Sequence, residues 1–217
     1  MSADAVADAT TSPMVEVTTE QELRHIIGEV MPAAAAKVSP ALSNLHRDWL
    51  AASPLCLIGT ADITGNADVS PKGDPAGFTL VLDDTTIAIP DRPGNRRVDG
   101  WLNVLANPHV GLIFLIPGRG DTLRINGRGR LVRDAPFFDD VVVQGHRPKL
   151  ALVVDVDEVF FHCSKAFLRS KLWDPTTWAP DALPSRAVIS HRMERAGETI
   201  EAVEEYYGPS YQKNLYR

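Results

Sequence analysis

"HVGLIFLIPGRGDTLRINGRGRLVRD", residues 109 to 134, reads as two long strands around a tight turn, and this hairpin sets the class of the whole chain. Its first half is almost continuously apolar. In its second half Leu123 and Ile125 alternate with Arg124, Asn126, Arg128 and Arg130, the period of two that sends successive side chains to opposite faces of a strand. "PGRGD" (117–121) supplies the turn. The flanks follow the same grammar. "LCLIGTAD" (55–62) is a short apolar run, "TGN" (64–66) a turn, and "ADVSPKGDPAGF" (67–78) an extended stretch whose prolines suit a sheet edge. "FTLVLDDTTIAIP" (78–90) reads as a hairpin around Asp83 and Asp84, and "KLALVVDVDEVFFHC" (149–163) as the longest apolar strand. Six or seven strands joined mostly by hairpins predict an antiparallel sheet or barrel with helical additions, not a doubly wound parallel sheet.

Helices punctuate this sheet. "TTEQELRHIIGEV" opens on a capping box, Thr19 with Glu22, and carries Leu23, Ile26, Ile27 and Val30 at helical spacing up to Pro32. A second helix is expected from Ser39 as N-cap with Pro40 at its first position, burying Leu42, Leu45, Trp49 and Leu50. "RVDGWLNVLANP" is a short helix with Val98, Trp101, Leu102 and Leu105 on one side, and "APFFDDVVVQG" is a further candidate, with Pro136 in its first turn and Gly145 past its end. The expected organisation is a disordered segment at 1–16, N-terminal helices at 17–52, one β domain at 53–175, and an aromatic-rich, partly helical extension at 176–217 that packs on the body or on a partner.

The totals exclude several classes. A net charge of −6 is the wrong sign for a general nucleic-acid binder. No run approaches a membrane span, and the first residues lack the basic and apolar parts of a signal peptide. Cys56 and Cys163 sit far apart in apolar surroundings, which predicts two buried thiols in a cytoplasmic protein. No metal site is expected. The six histidines (25, 46, 109, 146, 162, 191) show no ligand spacing, and no nucleophile elbow, zinc-protease motif or phosphate-cradling P-loop is present. A reaction on such a scaffold needs a cofactor.

Charge is unevenly placed. Residues 91–133 hold eight arginines and three aspartates, +5 in a chain of −6, and no lysine. The planar guanidinium fork suits bidentate contact with phosphate or carboxylate. The densest point is "DRPGNRR" (91–97), with Arg92, Arg96 and Arg97 beside Pro93, Gly94 and Asn95, leading into a helix N-terminus. Two accounts fit: an anion site, or arginines paired with nearby aspartates. The polar side of 122–130 is likewise either a solvent face or a barrel face at a ligand or subunit boundary. "VSPKGDP" (69–75) places Ser70, Lys72 and Asp74 on a proline-stiffened segment that can offer backbone groups to a planar ligand or be an ordinary edge. In "CSKAFLRSKLWDP", Lys165, Arg169 and Trp173 recur every four residues, one face of a helix.

"DVSPKGDPAGF", "IPDRPGNRR", "NPHVGLIFLIPG" and "DTLRINGRGRLV", in this order, resemble the FMN-binding split-barrel proteins of the pyridoxamine 5′-phosphate oxidase-like superfamily, over about residues 45–175. The resemblance implies a mainly β chain with α additions, a split antiparallel barrel, and a homodimer with FMN in each interface cleft. It implies that Arg92 and Arg96, with Asn95 and Arg97 nearby, hold the flavin phosphate. Val69, Ser70, Pro71 and Lys72 would lie along the flavin ring, with Asn103 and Arg124 as second candidates. Lys165, Arg169 and Trp173 would reach the flavin of the second subunit. The implied activity is an FMN-dependent oxidoreductase transferring hydride. The Arg-x-His pair of true pyridoxamine phosphate oxidases has no counterpart here, since "SHRMERAG" holds His191 and Arg192 side by side. The substrate is therefore an unknown small molecule. A deazaflavin-dependent reductase, a flavin- or haem-binding sensor and a simple anion-binding module stand as alternatives.

Overall fold

The computed structural model describes residues 14–213 and 215–216, and the disorder expected at 1–16 lies outside this range as far as residue 13. The chain divides into a unit ending at Lys37 and a unit beginning at Val38. In the first, α1 (Glu20–Ile27) starts where the Thr19 hydroxyl accepts from the Glu22 N–H at 3.2 Å. The Glu22 carboxylate answers by accepting from the Thr18 N–H, one residue earlier than a standard capping box. The helix stops at Gly28, φ +90°, rather than at Pro32, because glycine takes that conformation without strain. Pro32 instead opens a one-turn helix, α2 (Pro32–Ala35).

The second unit is built on one sheet. Its strands are β1 (Leu55–Ala61), β2 (Ala67–Gly73), β3 (Leu80–Val81), β4 (Thr86–Pro90), β5 (His109–Leu115), β6 (Thr122–Val132) and β7 (Ala151–His162). They lie in the order β2-β1-β5-β6-β7-β4-β3, and every neighbouring pair is antiparallel. The two edges, β2 and β3, are consecutive in sequence and joined only by residues 74–79. A flat sheet of seven strands would hold its edges about 29 Å apart, at about 4.8 Å per step. The link spans at most about 25 Å fully extended. It is far from extended, since the Phe78 N–H donates to the Pro75 carbonyl and Gly77 sits at φ +86°. The sheet must curl, and it does so as a split barrel around Ile58, Ile87, Ile89, Leu112, Phe114, Leu123, Ile125 and Val154, all buried.

Two helices close this barrel. α3 (Asn44–Ala52) buries Trp49 and Leu50. Its cap is Ser43, not Ser39: Ser43 and His46 form a reciprocal capping box, while the Ser39 backbone pairs with Val159. Leu45 consequently lies on the exposed side. α4 (Asp99–Ala106) packs on β1, β2 and β6. It turns Trp101 and Val104 inward and leaves Val98, Leu102 and Leu105 exposed, at 57% and 72% for the two leucines. This reverses most of the expected face. Both stripes are apolar, and the choice falls to the contact with Gly129, whose missing side chain makes room for Val104 and Leu152. Residues Pro136–Val141 form a 3-10 turn rather than an α-helix. The extension holds α5 (Lys165–Ser170), α6 (Arg186–Met193), α7 (Ile200–Tyr206) and α8 (Pro209–Lys213).

The "RINGRGR" alternation holds: Leu123, Ile125, Gly127 and Gly129 face inward, and the arginines outward. Opposite Asn126 and Gly127 the register slips by one residue, so that Asp157 bulges out of β7. A Cβ at Gly127 would drive into the Asp155 carbonyl oxygen. Gly127→Ala should therefore cost about 3 kcal/mol or more, the upper range for overpacking, measured by urea denaturation. A loss under about 0.5 kcal/mol would mean that the bulge relaxes freely.

Candidate functional site

Curling brings β2 against the loop that follows β4, and a cleft of about 560 Å3 lies between them. Ser70, Pro71 and Lys72 form one wall, and Arg92, Asn95 and Arg97 the other. Phe78 and Tyr211 complete it. Among the described residues β2 pairs with β1 alone, so one of its sides keeps free backbone donors and acceptors. Burial alternates along β2, which turns Ser70 and Lys72 toward the cleft and Val69 to the opposite, exposed face.

The charged groups are specifically held. Lys72 Nζ donates to Asp91 at 3.0 Å and lies 4.3 Å over the Trp101 ring. Ser70 donates to Asp68 at 3.1 Å. Arg92 Nε donates to Asp74 at 2.6 Å and its Nη2 to the Val141 carbonyl at 2.7 Å. This pair is buried, with side chains 13% and 1% exposed. The Tyr216 hydroxyl donates to the other Asp74 oxygen, and Arg92 lies 5.5 Å over the Tyr216 ring. Arg97 pairs with Asp99 at the surface. Asn95 Oδ1 accepts from the Arg97 N–H at 2.9 Å, a local turn that holds Arg96 at φ +62°. Arg96 is exposed and forms no ion pair among the described residues.

The remaining sequence candidates lie elsewhere. Asn103 donates to Thr60 at 3.1 Å and ties α4 to β1 beside a small recess of about 20 Å3 lined by Thr60, Ser70, Lys72 and Arg97. Arg124 lies 5.1 Å over Phe160. Lys165 and Arg169 are on α5, but Trp173 does not share their face, because Lys171 at φ +50° ends the helix. Trp173 instead stacks on Phe167 at 6.1 Å and donates to the Arg119 carbonyl at 2.7 Å. None of Arg124, Lys165, Arg169 and Trp173 lines the cleft of its own chain. Among the thiols only Cys56 is buried, and burial pushes its pKa up; Cys163 is exposed, contrary to the expected pair of buried thiols, because it follows the last residue of β7. Asp74, Tyr211 and Tyr216 were not assigned to the site from sequence; the carboxylate on a proline-stiffened strand end and the aromatic tail were the signals available.

A family model for pyridoxamine 5′-phosphate oxidase matches residues 42–163, which span α3 and the entire sheet. The chain belongs to this family. The chain is also similar to solved structures of low identity. A putative pyridoxamine 5′-phosphate oxidase from Lactobacillus delbrueckii is 20% identical, covers 57% of this chain and 98% of its own, and has a TM-score of 0.44. HupZ from Group A Streptococcus is 18% identical over 55% and 93% of the two chains, TM-score 0.44. An FMN-binding protein from Syntrophomonas wolfei is 12% identical over 55% and 89%, TM-score 0.40. No curated protein matches the sequence significantly. Among the described residues no helix is long and apolar enough to cross a membrane, and no cluster of histidine, cysteine or carboxylate side chains could hold a metal ion.

The buried pair sets two expectations. Asp74→Ala leaves the Arg92 guanidinium buried without its counter-charge and should cost about 3–5 kcal/mol, whereas Asp99→Ala at the exposed Arg97 pair should cost about 1 kcal/mol or less, both read from denaturant midpoints. Equal costs would mean that Arg92 finds water when Asp74 is removed. The bond to Asp74, then burial, then the Asp74 charge raise the Tyr216 pKa. A raised folded-state pKa stabilises the fold below the unfolded tyrosine value, about 10, and that stability is lost as pH rises through the folded value. The stability gap between wild type and Tyr216→Phe should hold up to about pH 10 and close above it. A gap that grows in alkali would contradict the donor role of Tyr216.

Proposed function

We propose that the chain is an FMN-dependent oxidoreductase that works as a cytoplasmic homodimer and acts on a small molecule by hydride transfer. The observation that supports this is the cleft between an edge strand and an arginine-rich loop, in a chain of this family. The donor set fits a phosphorylated planar cofactor. Arg96 is the phosphate ligand of first choice. It is exposed between two residues that line the cleft, has no carboxylate partner among the described residues, and sits in a left-handed conformation that costs a non-glycine residue free energy. Arg92 contributes its remaining Nη1, while Asp74 and Val141 fix its direction. Arg97 braces the loop through Asp99.

Ser70, Pro71 and Lys72 would hold the flavin ring through the free side of β2, with Val69 behind them. Lys72, steadied by Asp91 and Trp101, would place a positive charge beside it. A bound flavin supplies the hydride acceptor, and no dedicated protein base is required when solvent exchanges the proton. Asn103 and Arg124 would hold the surrounding structure. Lys165, Arg169 and Trp173 are assigned to the cleft of the second subunit.

The absorbance spectrum of the isolated protein tests the cofactor, and FMN should restore a flavin spectrum to any apoprotein. Arg96→Ala should weaken FMN binding by roughly 1.5–3 kcal/mol, the scale of a charge-assisted contact, and the holoprotein should elute as a dimer. A colourless protein that takes up no FMN would sink the reading. A monomeric holoprotein would remove the shared cleft. A haem band, or binding of a deazaflavin in place of FMN, would transfer the chain to one of the alternative classes.

A further inference from the structure

The loop that carries the arginines has space on both sides. Beyond Pro93, Gly94 and Asn95 lies a second compartment of about 1050 Å3, whose far wall is built by the C-terminal helices. Tyr211 borders this compartment and the cleft alike, so the two meet along the loop and that ring.

The far wall is aromatic and fixed. Tyr206, Tyr207 and Tyr211 pack on one another with centroids 4.9 to 5.7 Å apart. Arg195 lies 4.2 Å over Tyr206, and Arg186 lies 5.3 Å over Tyr207. Tyr206 and Tyr211 nevertheless remain 48% and 46% exposed. The charge of Arg186 on this wall is met by Glu194, to which its Nη2 donates at 2.9 and 2.7 Å. Glu205 adds a negative charge. Half-exposed rings, a guanidinium whose charge Glu194 neutralises and the added Glu205 carboxylate favour an uncharged planar group over an anionic tail.

We infer that the compartment lined by Tyr206 and Tyr211 binds an uncharged planar aromatic ring of about adenine size, directly beyond the position assigned to the phosphate. This rests on the flavin reading for the phosphate position. The ring has two possible sources: a group joined to the flavin through its phosphate, as in flavin adenine dinucleotide, or a separate adenosine-like molecule beside FMN.

Binding titrations on the full chain separate these. FMN and flavin adenine dinucleotide are titrated onto apoprotein, and adenosine onto FMN-loaded protein and onto apoprotein. An attached ring makes the dinucleotide bind at least about ten-fold tighter than FMN, the scale of one base–aromatic stack. A separate ring leaves the two flavins equal and gives saturable adenosine binding. In either case Tyr206→Ala should abolish the gain, Tyr206→Phe should retain it, and FMN affinity should stay within about two-fold. Equal flavin affinities with no adenosine binding overturn the inference while the flavin reading stands. A gain that survives Tyr206→Ala, or that Tyr206→Phe also destroys, overturns it too. Adenosine binding that depends on Tyr206, in a protein that takes neither flavin, keeps the compartment and removes the flavin reading. Failure of all three ligands removes both.

Discussion

Six residues joining opposite edges of a seven-stranded sheet leave that sheet no choice but to curl. The link at 74–79 is shorter than the flat sheet is wide, so β2 must come round toward the strands at the other edge. What meets there is the end of β2 and the segment after β4. Two ion pairs stitch this seam, Lys72 with Asp91 and Arg92 with Asp74. The cleft runs along the seam, because an edge strand and a loop cannot close on each other as two strands do. Its position is thus a consequence of chain length between edges, and its walls are the residues that the closure brings together.

The same closure sorts the arginines. Arg97, Arg119, Arg128 and Arg130 pair with Asp99, Asp121, Asp157 and Asp155 at the surface, where such pairs contribute little. Most of the positive segment is therefore neutralised where it stands. Arg92 differs in kind. Its partner Asp74 is buried, and the pair also takes in Val141 and Tyr216, so it acts as a rivet that fixes the start of the loop. Arg96 is left with backbone strain and, among the described residues, no carboxylate partner. In the proposed site, that combination is what distinguishes a residue kept for a ligand from one that braces the protein.

The strands were legible from sequence because their signals are local: alternation at 122–130, a two-aspartate turn at 83–84, prolines on the edge strand. The helix faces were less so. In α4 the stripes Trp101–Val104 and Leu102–Leu105 are both apolar, and only the notch at Gly129, across the fold, decides between them. Ser39 looked like a cap because Pro40 follows it, but its backbone was already committed to Val159. A period of four joined Lys165, Arg169 and Trp173 until Lys171 broke the helix. Of the proposed site, composition marked the loop and β2 only as candidates, and the resemblance supplied their assignment. The role of Arg92 could not, since its partners stand 18 and 49 residues away.

The family model ends at residue 163, yet the walls of the cleft do not. Tyr211 borders it, and Tyr216 reaches Asp74 at the root of the arginine loop. The curled sheet can therefore supply the proposed place for a phosphate and a planar ring without specifying what lies past it. That part is built from the aromatic-rich tail, whose Tyr206, Tyr207 and Tyr211 pack on one another. The wall at Tyr206 and Tyr207 can change without disturbing the seam, because these rings rest on Arg195 and Arg186 of their own helical segment rather than on the sheet, whereas Tyr216 belongs to the rivet.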